Sequence, residues 1–362
     1  MAQTGIPFVF MRGGTSRGPY FNRADLPGDR DTLARVLVSA LGSGHALNID
    51  GIGGGAAVTT KVAMLSRSDD DWAEIDYFFA QVSVEDGLVD FKPTCGNILS
   101  GVGPAAIEMG LVRPTGAETE IRIRAVNTGA RVLARVQTPE TELTYDGGAA
   151  IAGVPGTAAP VALSFMGVVG SSTGAFLPTG NLRDTFDGIE VTCMDVAMPM
   201  VIARAEDFGL TGHETAADLD DNRAFFDRME ALRLKAGALM GMGDVSKSVT
   251  PKFGVLAPAR DGGTAAVRYF MPWKTHPTLA VTGSQCLSAC LLCPGTVGNG
   301  MASGDLASPT RLQLEHPMGK LEVTVEYTCD GEAFDVVSAG LTRTARKLAE
   351  GKVFIPANIW LD

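Results

Sequence analysis

One cysteine in this chain stands directly before a Gly-Asn pair and a run of small and aliphatic residues, in the segment TCGNILSGVGPAAIEMG. The thiolate, not the thiol, is the form of cysteine that removes a proton or attacks carbon, and positively polarised surroundings favour it. The first amides of a helix supply such surroundings, because they have no acceptor within their own helix. Cys95 is therefore a candidate catalytic base, and the alternative is a buried structural thiol.

A second candidate for proton transfer is Lys61, which follows a glycine-rich turn in IDGIGGGAAVTTKVAML. Taken alone, this pattern favours a lysine that faces solvent from a short strand, and the alternative is a lysine that points into a site. The glycines do not form a nucleotide-binding P-loop, because no Lys-Ser or Lys-Thr pair follows them at the required spacing. They indicate tight turns whose backbone amides are available to an anion.

Two further segments carry groups that could bind a carboxylate, MRGGTSRGPYF and FLPTGN. Arginine can form paired hydrogen bonds with a carboxylate, and hydroxyl, amide and backbone groups add single donors. The same residues would also suit polar turns. The candidate binding residues in the two segments are Arg12, Thr15, Ser16, Thr179, Gly180 and Asn181. By contrast, Lys247 and Lys252 in GMGDVSKSVTPK are interpreted as surface lysines.

The composition limits the class of protein. The chain has 362 residues, 45% of them hydrophobic, which is enough for large cores and for two domains or one large one. Its formal net charge of −11, without any run of Lys or Arg, disfavours nucleic acid and anionic membranes as partners. No segment approaches the roughly 20 apolar residues of a membrane span, and no basic region precedes the short apolar stretch near the N-terminus. We therefore expect a cytoplasmic enzyme.

Six cysteines are too few and too unevenly spaced for a disulfide scaffold in a chain of this length. Cys286, Cys290 and Cys293 lie close together in GSQCLSACLLC and could suggest a site for a soft metal. They fall at i, i+4 and i+7 of an apolar helical pattern, which is one helix face. Packing in the core of the protein is the favoured interpretation, and no metal is expected.

The segments around these residues alternate between two kinds of pattern. Short β-branched and aromatic runs bounded by turn residues predict strands within 74–84, 120–137, 188–205 and 319–329, with a hairpin turn at NTGA. Helical periodicity predicts helices within 30–43, 97–112, 221–241, 283–293 and 339–351. No dinucleotide-binding glycine fingerprint follows the first strand. The sequence therefore predicts the α+β class with a mainly antiparallel sheet.

Two stretches are alike, PTCGNILSGVGPAAIEMGLV and AVTGSQCLSACLLCPGTV. Each follows a strand-like run and continues as a helix that is apolar on all sides, which is typical of a buried helix. From Cys95 to Thr282 they are 187 positions apart, counted as 282 minus 95. We infer a duplicated domain in which strands wrap a central helix. The two helix N-termini would face a shared cleft and hold a small dianion or trianion.

The chain resembles the methylaconitate isomerase and 4-oxalomesaconate tautomerase family at MRGGTSRGPYF, IDGIGGG with TTKVA, TCGNILSGVGP, LPTGN, GDVSKSVTPK and AVTGSQCLSA, in family order from about residue 6 to 300. The resemblance implies the fold of diaminopimelate epimerase, with two similar domains that each wrap a central helix and an active site in the cleft between them. The N-terminal domain would span 1–185, completed by 346–362, and the C-terminal domain 186–345. No cofactor, no metal and a homodimer are implied.

The same resemblance implies a reaction, a 1,3-allylic proton shift in an unsaturated di- or tricarboxylate. Cys95 and Lys61 would exchange protons with the carbons that flank the double bond. Residues at the matching positions would hold the substrate's carboxylates: Thr60, Gly96, Asn97, Thr282, Gly283 and Ser284. The contexts DLP, FAQV and VTC look most similar to the 4-oxalomesaconate tautomerases that act in the degradation of aromatic acids such as gallate and protocatechuate.

Two departures from the epimerase pattern argue against an amino-acid substrate. Two-base epimerases carry a second Cys where this chain has Thr282, and an Asn where it has Met198. Three alternatives remain: an isomerase of 2-methylaconitate or 3-methylitaconate, an amino-acid epimerase, and a carboxylate-binding protein without activity. The expected partner is a small polycarboxylate, with no nucleic acid and no membrane.

Overall fold

The computed structural model describes residues 2–330 and 333–361. The chain divides into two compact units. Unit 1 comprises Met1–Ser164 and Thr342–Asp362, and unit 2 comprises Phe165–Leu341. The predicted α+β class is confirmed, and the predicted domain boundary at residue 185 stays a prediction. Among the described residues, no helix is long and apolar enough to cross a membrane.

Unit 1 is a sheet with helices on both faces. Its strands are β1 (Gln3–Gly13), β2 (Ser16–Asn22), β3 (Lys61–Arg67), β4 (Ile75–Val82), β5 (Val89–Asp90), β6 (Glu118–Ala125), β7 (Ala130–Gln137) and β8 (Pro160–Met166). Its helices are α1 (Arg30–Leu41), α2 (Gly96–Leu99), α3 (Val102–Glu108) and α7 (Asn358–Leu361). The strand order is β1-β2-β3-β4-β6-β7-β8, and β2–β3 and β4–β6 are parallel pairs among antiparallel ones.

The two faces of the unit 1 sheet have different roles. On one face, Leu33 and Leu37 of α1 pack against Val62 and Met64 of β3 in a buried apolar cluster. On the other face, α2 and α3 contact β1 and β3. Because side chains alternate between the faces of a strand, each strand contributes both to the α1 cluster and to the surface under α2.

Unit 2 follows the same plan. Its strands are β9 (Asp184–Phe186), β10 (Ile189–Asp195), β11 (Pro199–Arg204), β12 (Lys252–Ala257), β13 (Ala265–Phe270), β14 (Thr310–His316) and β15 (Gly319–Asp330), and its helices are α4 (Ala216–Asp221), α5 (Arg223–Leu239) and α6 (Val281–Leu292). The strands β11–β12 and β13–β14 are parallel, matching β2–β3 and β4–β6 of unit 1. The last strand, β16 (Ala333–Pro356), pairs with β15 and then with β1.

The central helix of unit 2 is α6, and it is buried from Gly283 to Leu292. Its side chains pack in a cluster with β-strand residues, and Cys286, Cys290 and Cys293 are all buried there. The interpretation of these cysteines as core residues is confirmed. Gly254 of β12 lies beneath Leu287, where a side chain would collide with the leucine.

Most predicted elements form within the expected segments, with two differences. The helix predicted for 339–351 is wrong, because this segment is part of β16 and pairs with β15 and β1. The single helix predicted for 97–112 is divided into α2 and α3 by a turn at Ser100 and Gly101. The hairpin at NTGA is confirmed, with Gly129 at φ 74° between β6 and β7.

Candidate active site

Cys95 immediately precedes α2 and has an extended backbone, with φ −136° and ψ 107°. Its side chain is half-buried. Its carbonyl accepts the amide of Leu99 at 2.8 Å, which closes the first turn of α2. The amides that precede Leu99 in this turn have no acceptor within the helix, so they are available to an anion beside the thiol.

Two buried tyrosines hold this turn. The hydroxyl of Tyr77 donates to the carbonyl of Cys95 at 3.3 Å, and that of Tyr20 donates to the carbonyl of Ile98 at 2.5 Å. Burial first, and then the nearby Cys95, raise the pKa of both phenols. Both therefore stay protonated at neutral pH and remain donors. Neither tyrosine is among the residues predicted from the sequence, although both belong to regions with strand-like alternation.

Lys61 is the first residue of β3 and is half-buried. Its ammonium donates to Oε1 of Gln81 at 2.6 Å and lies 5.4 Å from the ring centroid of Phe79, a cation–π geometry. The solvent-facing interpretation of Lys61 is therefore wrong. The tertiary contacts that hold it come from β4, which is its antiparallel neighbour.

Lys61 and Cys95 contact the same row of side chains on β4. Lys61 pairs with Gln81 in the strand register, and Tyr77, Phe79 and Gln81 share one face of β4 because side chains alternate. Tyr77 contacts Cys95, and the next two members of the row contact Lys61. Successive members of such a row are about 7 Å apart, so one face of β4 connects the surroundings of Lys61 with the turn that carries Cys95.

The turn between β1 and β2 closes another side of this site. A side chain at Gly13 or Gly14 would collide with Asn97, so the turn lies directly against α2. The amide of Thr15 donates to Oδ1 of Asn97 at 3.4 Å. Ser16 is buried, and its hydroxyl has no hydrogen-bond partner within the described part of the chain. Such a hydroxyl is a free donor beside the turn that carries Asn97.

Two other predicted binding residues of unit 1 are occupied with structural bonds. Arg12 donates to the carbonyls of Gly14 and Thr344, both at 2.9 Å. Burial, followed by the neighbouring Arg346, lowers the pKa of the Arg12 guanidinium. The hydroxyl of Thr60 donates to the carbonyl of Val82 at 2.7 Å. Both residues stabilise the backbone next to the site through these bonds, which use the Thr60 hydroxyl and one guanidinium nitrogen of Arg12.

In unit 2, the predicted residues lie at two places. Thr179 and Asn181 donate to the carboxylate of Asp184 at 2.6 and 2.7 Å, and Gly180 has φ 79° in the turn between them. These side-chain donors therefore stabilise their own turn. Thr282, Gly283 and Ser284 lie in the first turn of α6, and the Ser284 hydroxyl donates to the carbonyl of Val281 at 2.7 Å.

No group of three or more His, Cys, Asp or Glu side chains within residues 2–330 and 333–361 is arranged to hold a metal ion. The candidate groups on this part of unit 1 are a thiol, an ammonium, two phenols, an unpartnered hydroxyl and backbone amides. They can move protons and bind an anion.

Comparisons with known proteins agree with this chemistry. The chain is 45% identical over 360 residues to a 4-oxalomesaconate tautomerase of Pseudomonas putida, covering 99% of both chains. It is 44% identical over 349 residues to a (4E)-oxalomesaconate Delta-isomerase of Novosphingobium sp. strain KA1, covering 96% of this chain and 97% of the relative. Relatives at this level are named isomerases and tautomerases, and the chain is an isomerase.

The fold also matches a solved structure over its whole length. The crystal structure of methylitaconate-delta-isomerase superposes with a TM-score of 0.91 at 30% sequence identity, covering 100% of this chain and 98% of that one. The family model described as PrpF protein matches residues 3–356. The family resemblance inferred from the motifs is thereby confirmed, and the chain belongs to the PrpF family.

Proposed function

We propose that this isomerase catalyses a 1,3-allylic proton shift in an unsaturated di- or tricarboxylate, with the tautomerisation of 4-oxalomesaconate in aromatic-acid degradation as its reaction. The observation that carries the proposal is the row on β4, where Tyr77 contacts Cys95 while Phe79 and Gln81 contact Lys61. An allylic shift needs one group that removes a proton and one that returns a proton two carbons away. A thiol and an ammonium that contact the same row of β4 side chains provide two such groups.

In the proposed reaction the thiolate of Cys95 removes a proton from the carbon beside a carbonyl or carboxylate. The electron pair of the broken C–H bond moves into the conjugated system and forms a dienolate. Lys61 then donates a proton to the carbon at the far end of the shifted double bond. The net change is the migration of one double bond and one proton, so the step requires no oxidant or reductant.

The dienolate carries the charge that develops in the transition state, and fixed donors aimed at it are the largest electrostatic contribution to such catalysis. The amides of Gly96 and Asn97 and the unpartnered hydroxyl of Ser16 are the donors of unit 1 in this role. The Gln81 side chain orients the Lys61 ammonium by accepting its hydrogen bond. The opposite assignment, with Lys61 as base and Cys95 as acid, would give the same product.

The proposal is tested by proton NMR in D₂O with 4-oxalomesaconate, 2-methylaconitate and 3-methylitaconate as separate substrates. The wild-type protein is expected to isomerise 4-oxalomesaconate fastest and to incorporate deuterium at the two carbons that exchange protons. Cys95→Ser should reduce the rate by roughly 10²-fold or more, which is the usual contribution of a general acid or base. Cys329→Ser is the matched control, because Cys329 is an exposed thiol in unit 2.

If Cys95→Ser kept nearly full activity and full deuterium incorporation at both carbons, the mechanism would be wrong. A single exchanged carbon in this variant would assign Cys95 to the carbon that no longer exchanges. The same panel tests the second candidate function, isomerisation of 3-methylitaconate or 2-methylaconitate, which the superposition on methylitaconate-delta-isomerase favours. No turnover with any of the three acids would leave a carboxylate-binding protein as the better description.

Two further expectations belong to this proposal, a cytoplasmic location and a homodimer. The acidic net charge of −11 is compatible with a small anionic substrate only if binding groups are local, as the amides beside Cys95 are. Light scattering of the purified protein at micromolar concentration is expected to give the mass of two chains. A mass equal to one chain would remove the dimer from the proposal.

A further inference from the structure

Lys252 is the first residue of β12 in unit 2 and is half-buried. The strand register places it on the face of β12 that also carries Gly254, and Gly254 lies directly beneath Leu287 of α6. Lys252 therefore belongs to the face covered by the central helix, and the interpretation of it as a surface lysine is wrong. Lys247, five residues earlier, is exposed as expected.

Three lysines of the described chain are half-buried, and the ammonium groups of two of them have hydrogen-bond or ion-pair partners. Lys347 is half-buried and contacts Glu108 at 2.8 Å and Glu350 at 2.7 Å. Lys61 donates to Gln81. No hydrogen bond or ion pair joins the Lys252 ammonium to any residue within 2–330 and 333–361. A partly desolvated ammonium without a counter-charge is unfavourable in the free protein, and an anionic ligand would remove that cost.

The charged neighbours of Lys252 increase this imbalance. Arg233 of α5 is fully buried, and both oxygens of Glu230 accept its guanidinium at 2.6 and 2.8 Å. Arg233 also donates to the carbonyls of Val245 and Pro251, which fixes the segment that leads into Lys252. Burial first, and then Arg233, lower the pKa of Lys252. Glu230 is already engaged by Arg233, so Lys252 keeps no acid of its own.

A neutral donor accompanies this cation. Nδ1 of His276 accepts the amide of Thr278 at 3.0 Å, so the proton of the neutral ring is on Nε2. Burial first, and also Lys252, lower the pKa of His276, which keeps the ring neutral. The ring contacts Tyr269 with centroids 5.8 Å apart, and Tyr269 pairs with Gly254 on the face that carries Lys252. Within the described residues, Nε2 of His276 has no hydrogen-bond acceptor.

We propose that Lys252 binds a carboxylate group of a small polycarboxylate ligand in unit 2, with Nε2–H of His276 as the second donor. The ligand class rests on the proposed function, whereas the cationic site rests on the burial of Lys252 and its missing counter-charge. A carboxylate supplies that charge and accepts both hydrogen bonds. The same arrangement explains how a chain with a net charge of −11 attracts a di- or trianion at one position.

The test uses tricarballylate, a saturated tricarboxylate that has no double bond to shift, so binding is measured without turnover. Isothermal titration calorimetry and the ligand-induced rise in melting temperature are recorded for the full-length protein and for Lys252→Gln, Lys252→Arg and Lys247→Gln. We expect Lys252→Gln to weaken binding at least tenfold and to abolish most of the rise in melting temperature. Lys252→Arg should recover part of the binding, and the exposed control Lys247→Gln should bind within twofold of wild type.

Without ligand, Lys252→Gln should melt at the wild-type temperature or above it, because it removes an uncompensated charge. If Lys252 had only a structural role, the Lys252→Gln substitution would instead lower the melting temperature. Binding by Lys252→Gln equal to that of wild type, or no binding by wild type, would overturn the proposal. Isomerisation of an acid together with unchanged binding in Lys252→Gln rejects this site alone. Lys252-dependent binding without turnover of any acid rejects the proposed reaction and supports the site.

Discussion

Lys61 begins β3 in unit 1, and Lys252 begins β12 at the corresponding register position in unit 2. An aromatic residue of the next strand lies in the same place in both units, Phe79 in one and Tyr269 in the other. The strand neighbours of the two lysines differ in polarity. Lys61 pairs with Gln81 on β4. On β13 the last paired residue is Phe270, opposite Phe253, and the next residue toward Lys252 is Met271. The lysine that is hydrogen-bonded is the one whose row of β4 neighbours also contacts the turn with a thiol.

The central helices of the two units also differ in the polarity of the strand residues beside them at corresponding positions. In unit 1, Tyr20 and Tyr77 donate to the backbone of α2, which has only four residues. The corresponding register positions of unit 2 hold Ile202 and Val267, and α6 continues for 12 residues. Phenols therefore fix a short helical turn that carries Cys95, whereas aliphatic packing supports a continuous helix. The repeated frame is common to both units, and its polar substitutions place the candidate proton-transfer groups in unit 1.

The largest effect that would distinguish the two lysines is expected from Lys61→Gln. This change removes the proposed proton donor, so kcat should fall by roughly 10²-fold or more with a smaller change in KM. Steady-state kinetics with the best substrate of the NMR panel measures both constants. The comparison between the units would be broken if Lys61→Gln changed KM alone, because Lys61 would then be a binding residue like Lys252.

The next effect in size is expected from Lys252→Gln. Loss of the ammonium that would pair with a substrate carboxylate should raise KM for a polycarboxylate about tenfold while kcat stays within about threefold, the signature of lost binding energy that is equal in ground and transition states. Lys247→Gln provides the kinetic control, since its side chain is exposed. A loss of kcat comparable to that of Lys61→Gln would assign proton transfer to both units.

How far the sequence predicted this arrangement can be judged from individual residues. Cys95 is a candidate from its residue type and its place before Gly-Asn, whereas the local pattern of Lys61 favours solvent exposure and only the family resemblance assigns it a catalytic role. The partners of these residues come from other strands. Tyr77 holds Cys95 and Gln81 holds Lys61 only because β4 pairs with β3 and lies beside α2, which local periodicity does not encode.

The wrong helix at 339–351 has a similar cause. Ala, Leu, Arg, Lys and Glu dominate that segment and favour a helix by intrinsic propensity. The ladder of β16 with β15 and β1 satisfies its backbone instead and overrides the propensity. The surface interpretation of Lys252 fails for a related reason, because a charged residue at the start of a strand is exposed or buried according to the helix that covers it.

A smaller effect is expected from Tyr77→Phe, which removes the hydrogen bond to the Cys95 carbonyl without changing the shape of the core. Unit 2 folds with an aliphatic residue at the equivalent position, so the protein should remain folded and lose about 1 kcal/mol of unfolding free energy. The kcat should fall about fivefold with KM unchanged, because the thiol is less well positioned. Tyr145→Phe is the control, since Tyr145 donates to Glu108 and not to α2. A wild-type kcat for Tyr77→Phe would assign the phenol to stability alone.

The last contrast concerns the reactivity of the thiols in the two units. We expect no labelling of the buried unit 2 thiols in the folded protein. Burial raises the pKa of Cys290 to about 11 and that of Cys293 to about 12, and it raises the pKa of Cys193 and Cys286 as well. A raised thiol pKa keeps the unreactive protonated form at pH 7 to 9.

Iodoacetamide should therefore label the folded protein at the half-buried Cys95 and the exposed Cys329, with the other four thiols labelled only after unfolding. Peptide mass spectrometry measures each site, and activity should be lost in step with Cys95 while Cys329→Ser inactivates at the wild-type rate. Labelling of the α6 cysteines in the folded state at pH 8 would mean that unit 2 opens readily, and the contrast between a fixed reactive turn and a closed helical core would no longer hold.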